Sequence, residues 1–149
     1  MAEHLVKLIP YLHTYRTNVN QAAAAVEALK RVVEAEEITF RQSDQPEFVD
    51  CGSELSKIRC PKCGAPLARE WWLDEMDRMY HEDHFFVLER EMPCCEKTAN
   101  FNQLHYEAPC GFSCLEFIIR NPKGPVGKEA VDALSERFGL LFRKVEAFL

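Results

Sequence analysis

The sequence predicts an α+β fold, in which two strand–helix–strand halves build one sheet in the ferredoxin-like manner and an inserted zinc-ribbon-like subdomain separates them. Two observations predict this fold: both ends of the chain show the order strand, helix, strand, and the middle of the chain bears the cysteines. With 149 residues, the chain suits one compact domain. We therefore divide it into a first half (1–50), the insertion (51–110) and a second half (111–149).

The first half begins with an apolar run at residues 5–9, which Pro10 ends and which predicts a buried strand. Residues 21–33 are rich in alanine and predict a helix, because their apolar side chains recur at helical spacing. These side chains are Ala22, Val26, Leu29 and Val33. Residues 37–41 alternate apolar and polar side chains and precede a polar stretch and then residues 48–49. This pattern predicts a second strand with an interruption.

The second half repeats the same order of elements. Residues 115–119 form an apolar run before Asn121 and Pro122, which predicts a strand and a turn. Residues 128–138 predict a helix with Gly139 as its C-terminal cap, and residues 140–148 predict the closing strand. If the two halves form one sheet, both helices lie on one of its faces. We expect the insertion to stand at an edge of this sheet.

Four cysteines carry the strongest functional signal of the sequence. Cys60 and Cys63 lie in the string CPKCG, which is typical of a zinc knuckle. Two thiolates at this spacing can bind one ion, and the glycine that follows allows the tight turn. Cys94 and Cys95 follow Pro93 and supply a second pair. We predict that these four thiolates hold one structural Zn²⁺ per chain.

The second pair is unusual because its two cysteines are adjacent. Neighbouring side chains of an extended strand point to opposite faces, so both thiolates reach one ion only if the chain makes a tight turn at Pro93. The alternatives are that another side chain replaces one of the four, or that all seven cysteines are buried free thiols. The candidate replacements are Cys51, Cys110, Cys114, His84 and His105.

A predicted partner-binding surface lies between and after the two cysteine pairs. Trp71 and Trp72 begin a stretch of near-helical spacing that includes Asp74 and Asp77. Adjacent tryptophans cannot both point inward from one helix, so we predict that one of them is exposed and contacts a partner, together with the two aspartates. A polar loop after the second pair extends this surface. It contributes Asn102, His105 and Tyr106.

The charge of the chain limits the classes of partner. Its 18 basic and 24 acidic side chains give a formal net charge of −6. This charge disfavours non-specific binding to nucleic acid or anionic lipid and favours a basic protein partner. No apolar window is long enough for a membrane helix, and the N-terminus lacks the pattern of a signal peptide. Because seven cysteines fit a secreted disulfide framework poorly, we expect a cytoplasmic protein without a membrane partner.

Several short motifs together resemble an uncharacterised family of small bacterial zinc-ribbon-containing proteins. The motifs are FVDCG at 48–52, CPKCG at 60–64, WW at 71–72 with Met76 and Asp77, PCC at 93–95, NQLHY at 102–106, GF at 111–112, Phe117, and NP at 121–122. The resemblance implies a metal site and no known activity. Members of the family usually have glycine at the position of Glu96 and no cysteine at the positions of Cys110 and Cys114. The latter difference implies that Cys110 and Cys114 are not required ligands.

Three classes of function suit these observations. We favour a zinc-stabilised protein-binding module, such as an adaptor or an immunity-type inhibitor of a basic partner protein, because the chain is small and acidic and shows no recognisable catalytic set. The first alternative is a nucleic-acid-binding zinc-ribbon protein, although the acidic insertion lacks the stripe of lysine and arginine that such binding needs. The second alternative is a small zinc or cysteine enzyme.

Overall fold

The computed structural model of the chain describes residues 3–50, 57–108 and 110–148, so Cys51 lies outside the described residues. The strands are β1 (His4–Pro10), β2 (Ala35–Val49), β3 (Ile58–Arg59), β4 (Glu89–Glu91), β5 (Thr98–Asn100), β6 (His105–Tyr106), β7 (Gly111–Pro122) and β8 (Phe142–Phe148). The helices are α1 (Val19–Lys30), α2 (Arg69–Asp83) and α3 (Lys128–Phe138), and a 3₁₀ turn covers Phe101–Gln103. The prediction of a mixed helix-and-sheet fold is confirmed.

The four long strands form one sheet in the order β2-β7-β1-β8, and every neighbouring pair is antiparallel. In the middle of the sheet, Val6 of β1 lies opposite Ile119 of β7 on one side and Glu146 of β8 on the other. Strand β7 from the second half therefore separates β1 from β2, both of which belong to the first half. The two halves interleave, and neither can form its sheet contacts alone.

Helices α1 and α3 cover one face of this sheet. Helix α1 begins where the Asn18 side chain accepts a hydrogen bond from the Gln21 N–H, at 2.8 Å, as is typical of an N-cap. Helix α3 has the predicted bounds and ends at Gly139, whose φ of 70° is the left-handed conformation that glycine adopts without strain. Leu29 of α1 and Leu134 of α3 are fully buried in one apolar cluster with the inner strands.

Strand β2 agrees with its prediction, because one strand spans Ala35–Val49 and its pairing is interrupted at the polar stretch. A bulge between Gln42 and Glu47 absorbs the polar stretch, and pairing with β7 resumes at Glu47. Strand β7 begins at Gly111, four residues before the apolar run that predicted it. In both cases the partner strand satisfies the backbone hydrogen bonds, so the strand includes residues that the local pattern did not assign to it.

The expectation that the insertion stands at a sheet edge is wrong, because the insertion packs on the second face of the sheet. Each long strand contributes one buried side chain to this interface: Ile9, Val49, Phe112 and Val145. The insertion contributes buried side chains that include Trp72, Met79, Leu88 and Phe101. Burying these apolar groups against one another removes them from water, which an edge position would not achieve. None of the helices in the described part of the chain is long and apolar enough to span a membrane.

Candidate metal centre

The first cysteine pair lies on a tight turn that follows β3. The backbone N–H of Cys60 donates to the Ala65 carbonyl, and the N–H of Gly64 donates to the Cys60 carbonyl, both at 2.9 Å. Inside the turn, the Lys62 N–H donates to the Cys60 sulfur at 3.3 Å. Gly64 has a φ of 78°, a conformation that a side chain would strain. The turn thus holds the two thiols of CPKCG on the same side of the backbone.

The second pair lies on a turn with the same hydrogen-bond pattern. The N–H of Met92 donates to the Lys97 carbonyl, and the N–H of Glu96 donates to the Met92 carbonyl, both at 2.9 Å. Met92 therefore occupies the position that Cys60 has in the first turn, and Cys95 occupies the position of Cys63. Glu96 takes the place of Gly64 and adopts the same left-handed backbone conformation, with a φ of 63°.

This correspondence explains how adjacent cysteines can serve one ion. Met92, at the position where a regular knuckle has its first cysteine, is fully buried and points into the core. The second thiol comes instead from Cys94, which stands one residue before Cys95 in the curved part of the turn. Because the backbone between them is not extended, the rule that neighbouring side chains point to opposite faces does not apply.

The four sulfur atoms all lie within 4.8 Å of one another. The Cys60 and Cys95 sulfurs are 3.8 Å apart, and the Cys63 and Cys94 sulfurs are 3.3 Å apart. Tetrahedral zinc with bonds of about 2.3 Å requires its sulfurs to lie roughly 3.8 Å apart. Cys60, Cys63, Cys94 and Cys95 therefore lie close enough to bind one metal ion, and their soft thiolate ligands suit zinc.

The environment of Cys60 favours the ionised form that a metal ligand needs. Burial acts to raise the pKa of the Cys60 thiol, but the backbone N–H groups of Cys63 and Lys62 outweigh it and lower that pKa to about 7. Cys60 is buried and Cys95 is partly buried, whereas Cys63 and Cys94 are exposed. One side of the site is thus formed by the core of the insertion and the other side faces solvent.

Cys51, one of the candidate replacement ligands, lies outside the described residues, and the other four lie apart from this cluster. Cys114 is buried in β7, where its N–H donates to the His13 carbonyl at 3.1 Å and burial raises the pKa of its thiol. Cys110 is buried next to β7, and neither it nor His84 nor His105 belongs to the metal-ligating group found among the described residues. These positions therefore supply no replacement ligand in this structure.

The two tryptophans do not provide the exposed anchor that the sequence predicted. Only 3% of Trp72 is exposed, and its ring packs edge-on against Phe48 and Tyr106. Trp71 is half-buried, and its ring lies against Phe101 with the ring centres 5.6 Å apart. Both rings find apolar neighbours because the sheet and the 3₁₀ turn approach α2 from different sides. The prediction for Trp72 is wrong, since a buried ring cannot contact a partner.

The other residues of the predicted partner-binding surface fall into two groups, those that stabilise the fold and those that are exposed to solvent. Asn102 is buried and bonds to three separate parts of the sheet. Tyr106 is half-buried, its hydroxyl donates to the Phe101 carbonyl at 2.8 Å, and burial raises the pKa of that hydroxyl. Asn102 and Tyr106 therefore serve the fold. Asp74, Asp77 and His105 are exposed, so their predicted contact with a partner stays a prediction.

Sequence reasoning missed two sets of residues. Leu73 and Tyr80 lie seven residues apart on α2 and are 48% and 45% exposed, a helical spacing that the sequence shows. Tyr11 and Arg143 meet across a cleft, and no local pattern marks them because they are far apart in the chain.

Comparison of the chain with protein-family models, curated proteins and solved structures finds no match.

Proposed function

We propose that this protein is a zinc-stabilised protein-binding module, such as an adaptor or an immunity-type inhibitor, whose insertion binds a basic partner protein. The observation that supports it most directly is the cluster of four cysteine sulfurs within 4.8 Å of one another. A site with four thiolates leaves no open coordination position for a substrate, which is typical of structural zinc. The ion's role is then to hold the insertion in shape.

The insertion needs such support because its own secondary structure is slight. Strands β3 and β6 have two residues each, and β4 and β5 have three each. Two-stranded sheets of this size are not stable on their own in water. One small sheet consists of β3 and β6, and the other consists of β4 and β5. A metal ion bound by the turn after β3 and by the turn after β4 would link the two sheets to each other.

Helix α2 carries the surface that we propose for the partner. Its exposed Leu73 and Tyr80 supply apolar contact area next to the acidic side chains of Asp74 and Asp77. Asp74 makes no ion pair with the described residues, and Asp77 pairs only with His81. An aromatic and an aliphatic group beside uncompensated negative charge suit a partner with apolar and basic side chains.

The proposal also includes a ferredoxin-like topology, a zinc-ribbon-like insertion and a cytoplasmic location. The strand order β2-β7-β1-β8 supports the ferredoxin-like topology, in which each strand–helix–strand half is split by a strand of the other. The two matching turns support the zinc-ribbon character of the insertion and its likeness to the bacterial family. Among the described residues, Cys60, Cys63, Cys94, Cys95 and Cys114 form no disulfide, which supports a reducing, cytoplasmic location.

The metal is tested by elemental analysis of protein purified without added metal. We expect about one zinc per chain. Cys63→Ser should reduce zinc content strongly, because it removes one of the four ligands, whereas the control Cys114→Ser should leave it unchanged. Chelation should also melt the insertion, because the binding energy of a structural ion is folding energy. Protein that binds no metal and keeps its spectrum, or that loses zinc through Cys114→Ser, contradicts the assignment.

The partner surface is tested with a charge-matched pair of variants. Asp74→Lys with Asp77→Lys should slow association with a protein captured from the source cells about tenfold, because local charge guides encounter. The control is Glu129→Lys with Glu136→Lys, which makes the same charge change at two exposed sites on α3. Equal slowing by both pairs indicates a general charge effect, and no slowing by the α2 pair overturns the proposed surface.

A further inference from the structure

A cleft of about 470 Å³ lies where β8 and the end of β1 meet the insertion. It is lined by Tyr11, Leu104, His105, Tyr106, Cys110 and Arg143, with Lys144 at its margin. Among the described residues, no acidic side chain lines it. In a chain with a net charge of −6, a cleft lined by cations and aromatic rings is an exception that calls for a physical reason.

Arg143 is the central group of this cleft. It is half-buried and makes no ion pair with the described residues. Burial removes part of its guanidinium from water and thereby lowers the pKa of that group. Cations removed from water are usually paired with an anion, because the loss of hydration is otherwise uncompensated. Arg143 has no such anionic partner among the described residues.

The hydrogen bonds of Arg143 leave part of the guanidinium unused. One Nη donates to the backbone carbonyl of Asn102 at 3.2 Å, and the other donates to the side-chain oxygen of the same residue. The Nε–H is shut off from solvent and has no acceptor among the described residues. A guanidinium has five N–H donors, so these two bonds to neutral oxygens leave most of its donors free.

The surroundings hold the guanidinium in place. The Tyr11 ring lies beneath it, with 4.9 Å between the guanidinium carbon and the ring centre. Gly111 also makes room for it, because a β-carbon at that position would overlap the Arg143 guanidinium. A fixed planar fork beside apolar rings is the geometry that recognises carboxylate and phosphate groups.

A second, smaller cleft of about 260 Å³ adjoins the first across His105 and Tyr106. Lys57 and Arg59 line it, together with Glu107. Both basic residues are exposed, so they can approach a charged group that extends out of the first cleft. The positive side chains of the two clefts thus lie along one surface of the junction between the sheet and the insertion.

We propose that the cleft at Arg143 binds a small organic ligand through an oxyanion, either a carboxylate or a phosphate, whose body packs against Tyr11 and Tyr106. The oxyanion supplies the charge that Arg143 lacks and accepts from the Nη–H groups that Asn102 does not use. This site rests on the contact between the sheet and the insertion. It does not depend on the identity of the metal ion or on the α2 surface.

The test follows the Arg143 Nε–H resonance of the intact protein by ¹⁵N NMR, because a proton shielded from solvent exchanges slowly. Sodium phosphate and sodium benzoate are the two probes, and sodium chloride at equal ionic strength is the control. We expect a saturable shift with at least one probe and none with chloride. The probe that binds more tightly identifies a phosphate or a carboxylate ligand. Absence of a saturable shift with both probes, or an equal shift with chloride, overturns the proposal.

Two variants separate a ligand site from a purely structural arginine. Arg143→Lys keeps the charge but loses the planar fork, so affinity for the better probe should fall about tenfold or more. Because this variant lacks the Nε–H, affinity in all variants is read from the backbone N–H resonances of Leu104 and Tyr106, which line the cleft. Arg137→Lys, an exposed change on α3, is the matched control and should bind like the parent. If Arg143→Lys does not fold, Tyr11→Ala takes its place, because it removes the exposed ring and keeps the backbone. Unchanged affinity in the folded variant overturns the proposal.

Discussion

Replacing Asn102 with alanine is expected to lower the free energy of unfolding by about 3 kcal/mol, because this side chain joins the insertion to three parts of the sheet. Its amide nitrogen donates to the Tyr11 carbonyl at 2.9 Å, at the end of β1. Its oxygen accepts from the Phe112 N–H of β7 at 2.9 Å and from the Arg143 side chain of β8. Alanine removes all three bonds at once.

The three bonds contribute unequally. The Phe112 N–H is buried, so its loss of an acceptor costs about 1–3 kcal/mol. The bond to Arg143 involves a charge and is worth roughly 1.5–3 kcal/mol, but water can enter through the cleft and recover part of it. Tyr11 is exposed, and water can replace Asn102 at its carbonyl. The middle of the first range, about 2 kcal/mol, together with about 1 kcal/mol of the second that water does not recover, gives the estimate of about 3 kcal/mol.

Urea unfolding followed by tryptophan fluorescence measures this change, because Trp72 lies in the core that the insertion shares with the sheet. The control is Asn20→Ala, an exposed position in α1 where alanine should change the free energy of unfolding by less than about 0.6 kcal/mol. Asn102→Asp keeps the oxygen acceptors and should destabilise less than alanine does. A loss below about 1 kcal/mol for Asn102→Ala would refute the assignment of Asn102 as a structural clamp.

Three further predictions follow from single positions. Glu96→Gly should raise the free energy of unfolding by about 1 kcal/mol in urea titrations, because glycine adopts a φ of 63° without strain; a loss of stability would contradict this. Gly111→Ala should lower it by about 1–3 kcal/mol, since the new methyl group meets the Arg143 guanidinium, and an unchanged melting temperature would show that the neighbours yield freely. Burial raises the pKa of Glu116 against the opposing effect of Lys7 and Arg41, so its ionised form destabilises the fold. This penalty is absent below the carboxyl's unfolded pKa and grows as pH rises through the folded pKa, so Glu116→Gln should stabilise at pH 7 and have little effect near pH 4 in parallel melting curves.

Local features of the fold were predictable because their causes lie within a few residues. The bounds of α3 follow from the apolar spacing of residues 128–138 and from Gly139, and the structure has the same bounds. The turn at Cys60 and Cys63 follows from its own proline and glycine. The choice of Cys94 and Cys95 as the second pair also came from the sequence, and the structure brings all four sulfurs together.

Long-range contacts decided the features that the sequence left open or misassigned. Strand β2 continues beyond its interruption because β7 pairs with both sides of the polar stretch, and that pairing joins residues far apart in the chain. Trp72 is buried because Phe48 and Tyr106 come to it from the sheet and from β6. Neither neighbour is visible in the spacing of α2 itself, which shows an apolar stripe but not what covers it.

The sequence by itself determined the helices, the class of fold and the four candidate metal ligands, because periodicity, capping and turn chemistry act over short stretches of chain. Only the tertiary structure decided that the insertion covers the second face of the sheet, that Asn102 clamps it there, and that Arg143 lies in a cleft without an anionic partner. These features arise where β1, β7 and β8 meet the insertion. Burial and charge at such a junction depend on side chains that are neighbours only after folding.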